Sequence, residues 1–104
     1  MNYKVLWTQN AEDQLSESSL YIAFNTGSVD QAISFLNNIR EETDKLNKFP
    51  NRGFNPGDAS IRRKGYKGLI IGNYVAFYKV YETEKKVVIH AFTHLKTDYK
   101  YLLG

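Results

Sequence analysis

The chain has no cysteine, so it forms no disulfide and offers no thiolate to a metal. Its two histidines, His90 and His94, have no acidic cluster near them. On a strand they would stand roughly 13 Å apart, too far to share one ion, so no metal site is expected. No apolar run approaches the roughly 18 residues that span a bilayer, so no membrane association is expected. The first residues show no basic segment leading into an apolar run, which speaks against a secretory signal. Together these absences point to the reducing cytoplasm. Glycine patterns that cradle nucleotides or expose a nucleophilic serine are missing too, as is a useful Ser-His-Asp order. A metabolic enzyme is disfavoured and no cofactor is expected.

What is present suits one folded domain spanning 1–104. The chain is 42% hydrophobic and carries eight tyrosines among its 104 residues, enough for a single core. Its net charge of +3 conceals opposite halves. Met1 to Asn51 holds four basic residues against seven acidic ones, and Arg52 to Gly104 holds ten against four. The C-terminal half therefore presents a positive field, suited to an anionic partner or simply to a solvated surface.

Tyr3, Val5 and Trp7 alternate with Lys4 and Leu6 as a first strand. Thr8 or Asn10 caps a helix with Glu12 and Asp13 in its first turn, and Ala11, Leu15, Ser18 and Ile22 form a narrow stripe. Gly27 ends it, and Ser28 with Gln31 opens a second helix. There Ala32, Leu36, Ile39, Thr43 and Leu46 recur at spacings of four and three up to Phe49-Pro50, flanked by Ile33 and Phe35. Residues 51–60 read as loop. Residues 66–71, 74–81 and 87–93 read as three strands, joined by Gly72-Asn73 and by a turn over residues 82–85. The most apolar of them, Val87 to Thr93, is expected at the sheet centre. The order predicts an α+β fold: an N-terminal strand, an antiparallel helical hairpin, a three- to four-stranded antiparallel sheet and a short C-terminal tail.

The tail gathers His94, Lys96, Asp98 and Tyr99 where the last strand ends. Cleaving RNA without a metal needs a proton carrier and fixed cations around one phosphate. His94, with an unperturbed pKa of about 6.5, and Tyr99, at about 10, are the candidate carriers. Arg62, Arg63, Lys64, Lys67 and Lys96 are candidate cations for a nucleic acid or another target. Each has a plainer reading: His94 as a turn-bonding residue, Arg62-Arg63-Lys64 as guards of a strand edge. Tyr74, Tyr78 and Tyr81 read first as core or rim packing, with platforms for bases as the alternative. His90, grouped with Val88 and Phe92 by alternation, reads as a core histidine.

The segments KVLWTQNAEDQL, LNKFPNRG, IRRKGYKGLIIGNYVAFYKV and VVIHAFTHLKTDYKYLL, in this order, resemble the RelE/ParE superfamily of bacterial type II toxins over nearly the whole chain. The resemblance implies a growth-inhibiting toxin of a toxin–antitoxin or plasmid-stabilisation system, held by a cognate antitoxin in a hetero-oligomeric complex. RelE-like members cut messenger RNA on the ribosome, whereas ParE-like members inhibit DNA gyrase. Against the RelE pattern, Lys67 falls on a basic strand position and Tyr99 near the C-terminal tyrosine. The expected Tyr-Arg is Tyr74-Val75, a second lysine is Leu69, and Lys96 replaces an arginine without its bidentate fork. The tail THLKTDY fits the ParE-like pattern through His94, Lys96 and Asp98. The resemblance thus favours target inhibition by binding. A metal-free endoribonuclease using Arg63, Lys67, His94, Lys96 and Tyr99 is the alternative, and a non-toxic antitoxin-binding or autoregulatory module is a third.

Overall fold

The computed structural model describes residues 2–98 and Leu103. Strand β1 (Lys4–Trp7) leads into helices α1 (Gln9–Thr26) and α2 (Val29–Asp44), the latter extended by a 3-10 turn at Lys45–Asn47. A loop and the short helix α3 (Ala59–Arg63) precede strands β2 (Lys67–Ile71), β3 (Tyr74–Tyr81) and β4 (Lys86–His94). The four strands form one sheet in the order β1-β4-β3-β2. The α+β architecture is as the residue pattern predicts, with β4 inside the sheet.

Local chemistry explains the helical hairpin. The Thr8 hydroxyl accepts the Ala11 N–H at 3.1 Å and starts α1. Gly27 ends it in the left-handed region (φ 66°), donating its N–H to the Ala23 carbonyl at 2.9 Å. One residue later Ser28 caps α2 by accepting the Gln31 N–H at 3.2 Å. Ala11 and Leu15 are buried as the spacing predicts, but the stripe then passes through Ser19, while Ser18 and Ile22 are only half-buried. On α2, Ala32, Ile39, Thr43 and Leu46 are buried with Leu36 and Phe35 at their margin. The Arg40 guanidinium grips Glu12 through two hydrogen bonds of 3.0 and 2.6 Å and lies 4.7 Å above the Trp7 ring. Both partners remain well exposed, so this clamp contributes under about 1 kcal/mol and mainly orients the helices.

The sheet is antiparallel among β2, β3 and β4, but β1 runs parallel to β4. An up-and-down helix pair returns the chain to the end from which it left, which makes a parallel union possible. The helices cover one face, where Leu69, Ile71, Ala76, Tyr78, Val87, Ile89 and Phe92 build the main core with Leu15, Ile39 and Leu46. The opposite face carries a smaller apolar cluster of Ile61, Val75, Phe77, Ala91 and Leu103.

Besides the parallel β1, two features depart from the residue pattern. Residues 59 and 60 belong to α3 instead of the loop. Asp58 caps this helix by accepting the Ile61 N–H at 3.0 Å, and burial of Ile61 holds it against the sheet. Five residues are too few for a helical period to show. The second departure is a β-bulge: Phe77 pairs with Ala91 but Tyr78 pairs with Ile89, leaving His90 as the extra residue. Strict alternation puts His90 on one face with Phe92. The bulge separates them, sending Phe92 into the main core and leaving His90 half-buried beside Tyr81.

Candidate functional site

The end of β4 is shaped by the brevity of β1. Because Thr8 turns away to cap α1, the last backbone bond on that side is from the Thr8 N–H to the Ile89 carbonyl at 3.0 Å. Gln14 on α1 takes over, its side-chain oxygen accepting the Phe92 N–H at 2.7 Å. Beyond this bond a cleft of about 460 Å³ opens between α1 and the ends of β3 and β4. Gln14, Glu17, Ser18 and Tyr21 line one wall, and Tyr74, Phe92, Thr93, His94 and Thr97 line the other.

An aromatic ladder floors the cleft. Tyr74 stacks on Phe92 with centroids 5.3 Å apart and planes 3° from parallel, and meets His94 edge-on at 5.3 Å. Burial, followed by the nearby Tyr21 phenol, raises the Tyr74 pKa above its ordinary value, so its hydroxyl keeps its proton at neutral pH. His94 Nδ1 accepts the Lys96 N–H at 3.2 Å, which in the neutral ring leaves the proton on Nε2. The turn is held by the Leu95 N–H on the Asn73 carbonyl at 2.8 Å and the Thr97 N–H on the His94 carbonyl at 3.0 Å. His94 and Lys96 are thereby brought together at the cleft's rim, with Lys96 and Asp98 exposed. Tyr99 lies outside the described residues.

The remaining sequence candidates sit elsewhere. Lys67 pairs with Tyr78 and His94 with Tyr74, on opposite sides of β3. Four residues along the strands and two strand spacings across put their backbones about 16 Å apart. Lys67 donates to the Asn55 side chain at 3.2 Å. Arg62 staples its loop, donating to the carbonyls of Pro56 at 2.9 Å and Gly57 at 3.3 Å. Arg63 and Lys64 are exposed at the end of α3. Val75 and Leu69 are buried, the first in the small cluster and the second in the main core. Neither position is open to a hydrated cation without rearrangement.

A group that alternation failed to single out stands on the face away from the long helices. The Tyr66 ring meets His90 edge-on at 5.6 Å, Lys79 Nζ lies 4.5 Å from the Tyr66 centroid, and the Tyr81 hydroxyl is 3.3 Å from His90 Nε2. Lys79 and Tyr81 share a strand face, and the pairing of Lys79 with Val88 puts His90 on that face too, while the bulge takes Phe92 off it. Burial and then the Lys79 ammonium hold the His90 pKa below its ordinary value. The unfolded chain therefore takes up this proton at a higher pH than the folded one, and acidification through that window favours unfolding. Stability is expected to fall as pH drops through and below about 6.5, the ordinary histidine value, and to fall less steeply in His90→Gln. Urea denaturation across that range checks this; equal slopes in the two proteins would remove His90 from the effect.

A four-stranded sheet backed by a helical hairpin, with a basic turn beside an aromatic cleft, defines a small α+β protein. The family model described as the ParE toxin of the type II toxin–antitoxin system parDE matches residues 5–99, and the chain belongs to this family. The fold is shared with a solved structure titled as the chromosomal ParDE system of P. aeruginosa, at 18% identity and a TM-score of 0.74. That match covers 90% of this chain and 97% of the other. A toxin–antitoxin complex of Mycobacterium tuberculosis, RelBE2, matches at 21% identity and a TM-score of 0.59, covering 90% of this chain and 99% of that one. No curated protein sequence matches significantly. Among the described residues, no helix is long and apolar enough to cross a membrane.

Proposed function

We propose that this ParE-family toxin arrests growth by binding an essential target, with DNA gyrase the first candidate, and that a cognate antitoxin neutralises it in a hetero-oligomeric complex. Membership of the ParE family and the His94, Lys96 and Asp98 pattern of the tail support that target, and a cytoplasmic location goes with it. The observation that carries binding over RNA cleavage is the separation of Lys67 from His94 and Lys96. Cleavage needs its proton carrier and cations converging on one phosphate, whereas the Lys67 backbone lies about 16 Å from that of His94 and its ammonium is engaged with the Asn55 side chain at 3.2 Å. Burial of Val75 and Leu69, where the RelE-like pattern has cations, supports the same reading.

The adjacency of His94 and Lys96 at the cleft keeps a ribosome-dependent nuclease as the second reading. Inducing the toxin without antitoxin, mapping the 5′ ends of cellular RNA and assaying supercoiling by purified gyrase separates the two. The expected result is growth arrest with no new ends at fixed codon positions, and loss of supercoiling. Lys96→Ala is expected to weaken inhibition by about tenfold or more with an unchanged melting temperature, as for a central interface contact. New codon-positioned ends would establish the nuclease, and unimpaired growth would leave a non-toxic antitoxin-binding or autoregulatory module.

A further inference from the structure

The cleft between α1 and the ends of β3 and β4 has a charge pattern opposite to that of its rim. Gln14, Glu17 and Tyr21 recur on α1 at spacings of three and four and line one wall together. Glu17 is exposed and has neither a hydrogen-bond nor an ion-pair partner among the described residues. Among those residues the lining holds no other carboxylate and no lysine or arginine, while Lys96 stands exposed at the rim. Tyr21 is 65% exposed, and its phenol stands near that of Tyr74 on the other wall. We propose that the cleft binds a small free organic cation of the alkylguanidinium class, its guanidinium between the Glu17 carboxylate and the Tyr21 ring and its alkyl stem along Tyr74.

The hydrogen-bonding groups of the walls favour a donor-rich ligand. Ser18 donates its hydroxyl to the Gln14 carbonyl at 3.0 Å, which leaves the lone pairs of its oxygen free to accept. The Thr93 and Thr97 hydroxyls have no partner among the described residues. A guanidinium carries five N–H donors in a flat fork and no acceptor. It can grip a carboxylate bidentately, reach a hydroxyl oxygen and lie on an aromatic face at once. An ammonium matches the charge but not the flat face. A nucleotide brings phosphate charge towards Glu17 and is disfavoured.

The volume of about 460 Å³ falls within the roughly 300–1,000 Å³ of small-molecule sites, so a free ligand can lodge both its head and its stem there. A protein surface presenting an arginine would also have to cover Lys96, a like charge, which a free ligand can leave to solvent. The inference rests on the cleft alone. Its test requires neither gyrase nor growth arrest, so it can fail while the toxin reading stands, and the reverse also holds.

The test is an NMR titration of the full chain at neutral pH and low salt, following the amide signals of Thr93, His94 and Thr97. The probes are n-butylguanidinium, n-butylammonium, n-butylurea, thymidine monophosphate and a blocked tripeptide with arginine at its centre. Butylguanidinium is expected to shift the three signals saturably and butylammonium to bind more weakly. Butylurea, of the same shape without the charge, is expected to leave them unmoved. Glu17→Gln and Tyr21→Leu are each expected to weaken butylguanidinium binding about two- to fivefold with unchanged melting temperatures, because both side chains are exposed. No shift with butylguanidinium, equal binding of butylurea or butylammonium, or indifference to both substitutions would overturn the proposal. Tighter binding of thymidine monophosphate at the same signals would overturn it in favour of a nucleotide. Tighter binding of the tripeptide would overturn it in favour of a protein side chain.

Discussion

Phe92→Ala is expected to destabilise the fold by about 3–5 kcal/mol, a large share of the roughly 5–15 kcal/mol that a domain of this size possesses. Phe92 is 1% exposed and meets the helices, the first strand and the cleft at once. Its ring stacks on Tyr74, meets Phe35 edge-on at 6.1 Å and tilts against Trp7 at 6.1 Å. Removing it deletes the transfer energy of a buried ring and opens a cavity whose walls are stiff aromatics that relax poorly. Since about 1 kcal/mol corresponds to roughly 4–8 °C in a domain of up to about 100 residues, the melting temperature should drop by roughly 12 °C or more. Phe92→Leu should lose much less, because most of the volume stays filled. Urea denaturation of the three proteins decides it, and a loss below about 1 kcal/mol for alanine would contradict this packing. The functional consequence is separable. A destabilised toxin loses activity in proportion to its unfolded fraction, whereas Lys96→Ala should lose it while remaining folded.

Gly53→Ala should be the second large effect, at about 1–3 kcal/mol. An added Cβ would lie 2.6 Å from the Tyr78 hydroxyl oxygen and 2.7 Å from the Gly68 carbonyl oxygen. Neither moves away cheaply: Tyr78 is fully buried, and the Gly68 carbonyl is tied to the Phe54 N–H at 2.8 Å. The loop before α3 is docked to β2 and β3 at this point, where the Gly53 N–H donates to the Tyr78 hydroxyl at 3.0 Å. Burial raises the Tyr78 pKa and the Gly53 bond opposes that rise, so the phenol remains neutral and serves as a fixed acceptor. Tyr78→Phe alone should cost about 1–3 kcal/mol by leaving the Gly53 N–H without its partner. Combining the two should cost less than their sum, because removing the hydroxyl relieves one of the two collisions. A double-mutant cycle measures this, and strict additivity would mean that the loop is not docked through this contact.

Much of the architecture was legible because it rests on local chemistry. Thr8, Gly27 and Ser28 announce helix ends by what their side chains or backbones can do, and the spacing of Ala32, Ile39, Thr43 and Leu46 requires a helix to gather them on one side. Gly72-Asn73 marks a hairpin for the same reason. The parallel pairing of β1 was not legible, since strand direction depends on where the helical hairpin delivers the chain. Helix α3 escaped because it is shorter than two turns and is held by burial of Ile61.

The site was legible in part. Residues close in sequence, His94 and Lys96, meet at the cleft because a turn brings them together. Lys67 and Arg62 share a charge with Lys96 but not a location, and charge alone does not say which strand or loop a cation faces.

The sequence by itself determined the kind of fold and the sign of the field on its C-terminal half, because these follow from composition, periodicity and the order of segments, and its segments carried the resemblance to the family that the family model shows. The tertiary structure decided which basic residues stand together. One extra residue in β4 carried Phe92 away from His90 into the main core, and left His90 on the face of Tyr66, Lys79 and Tyr81. A strand's side chains alternate only while its register holds, and the register is set by the neighbouring strand.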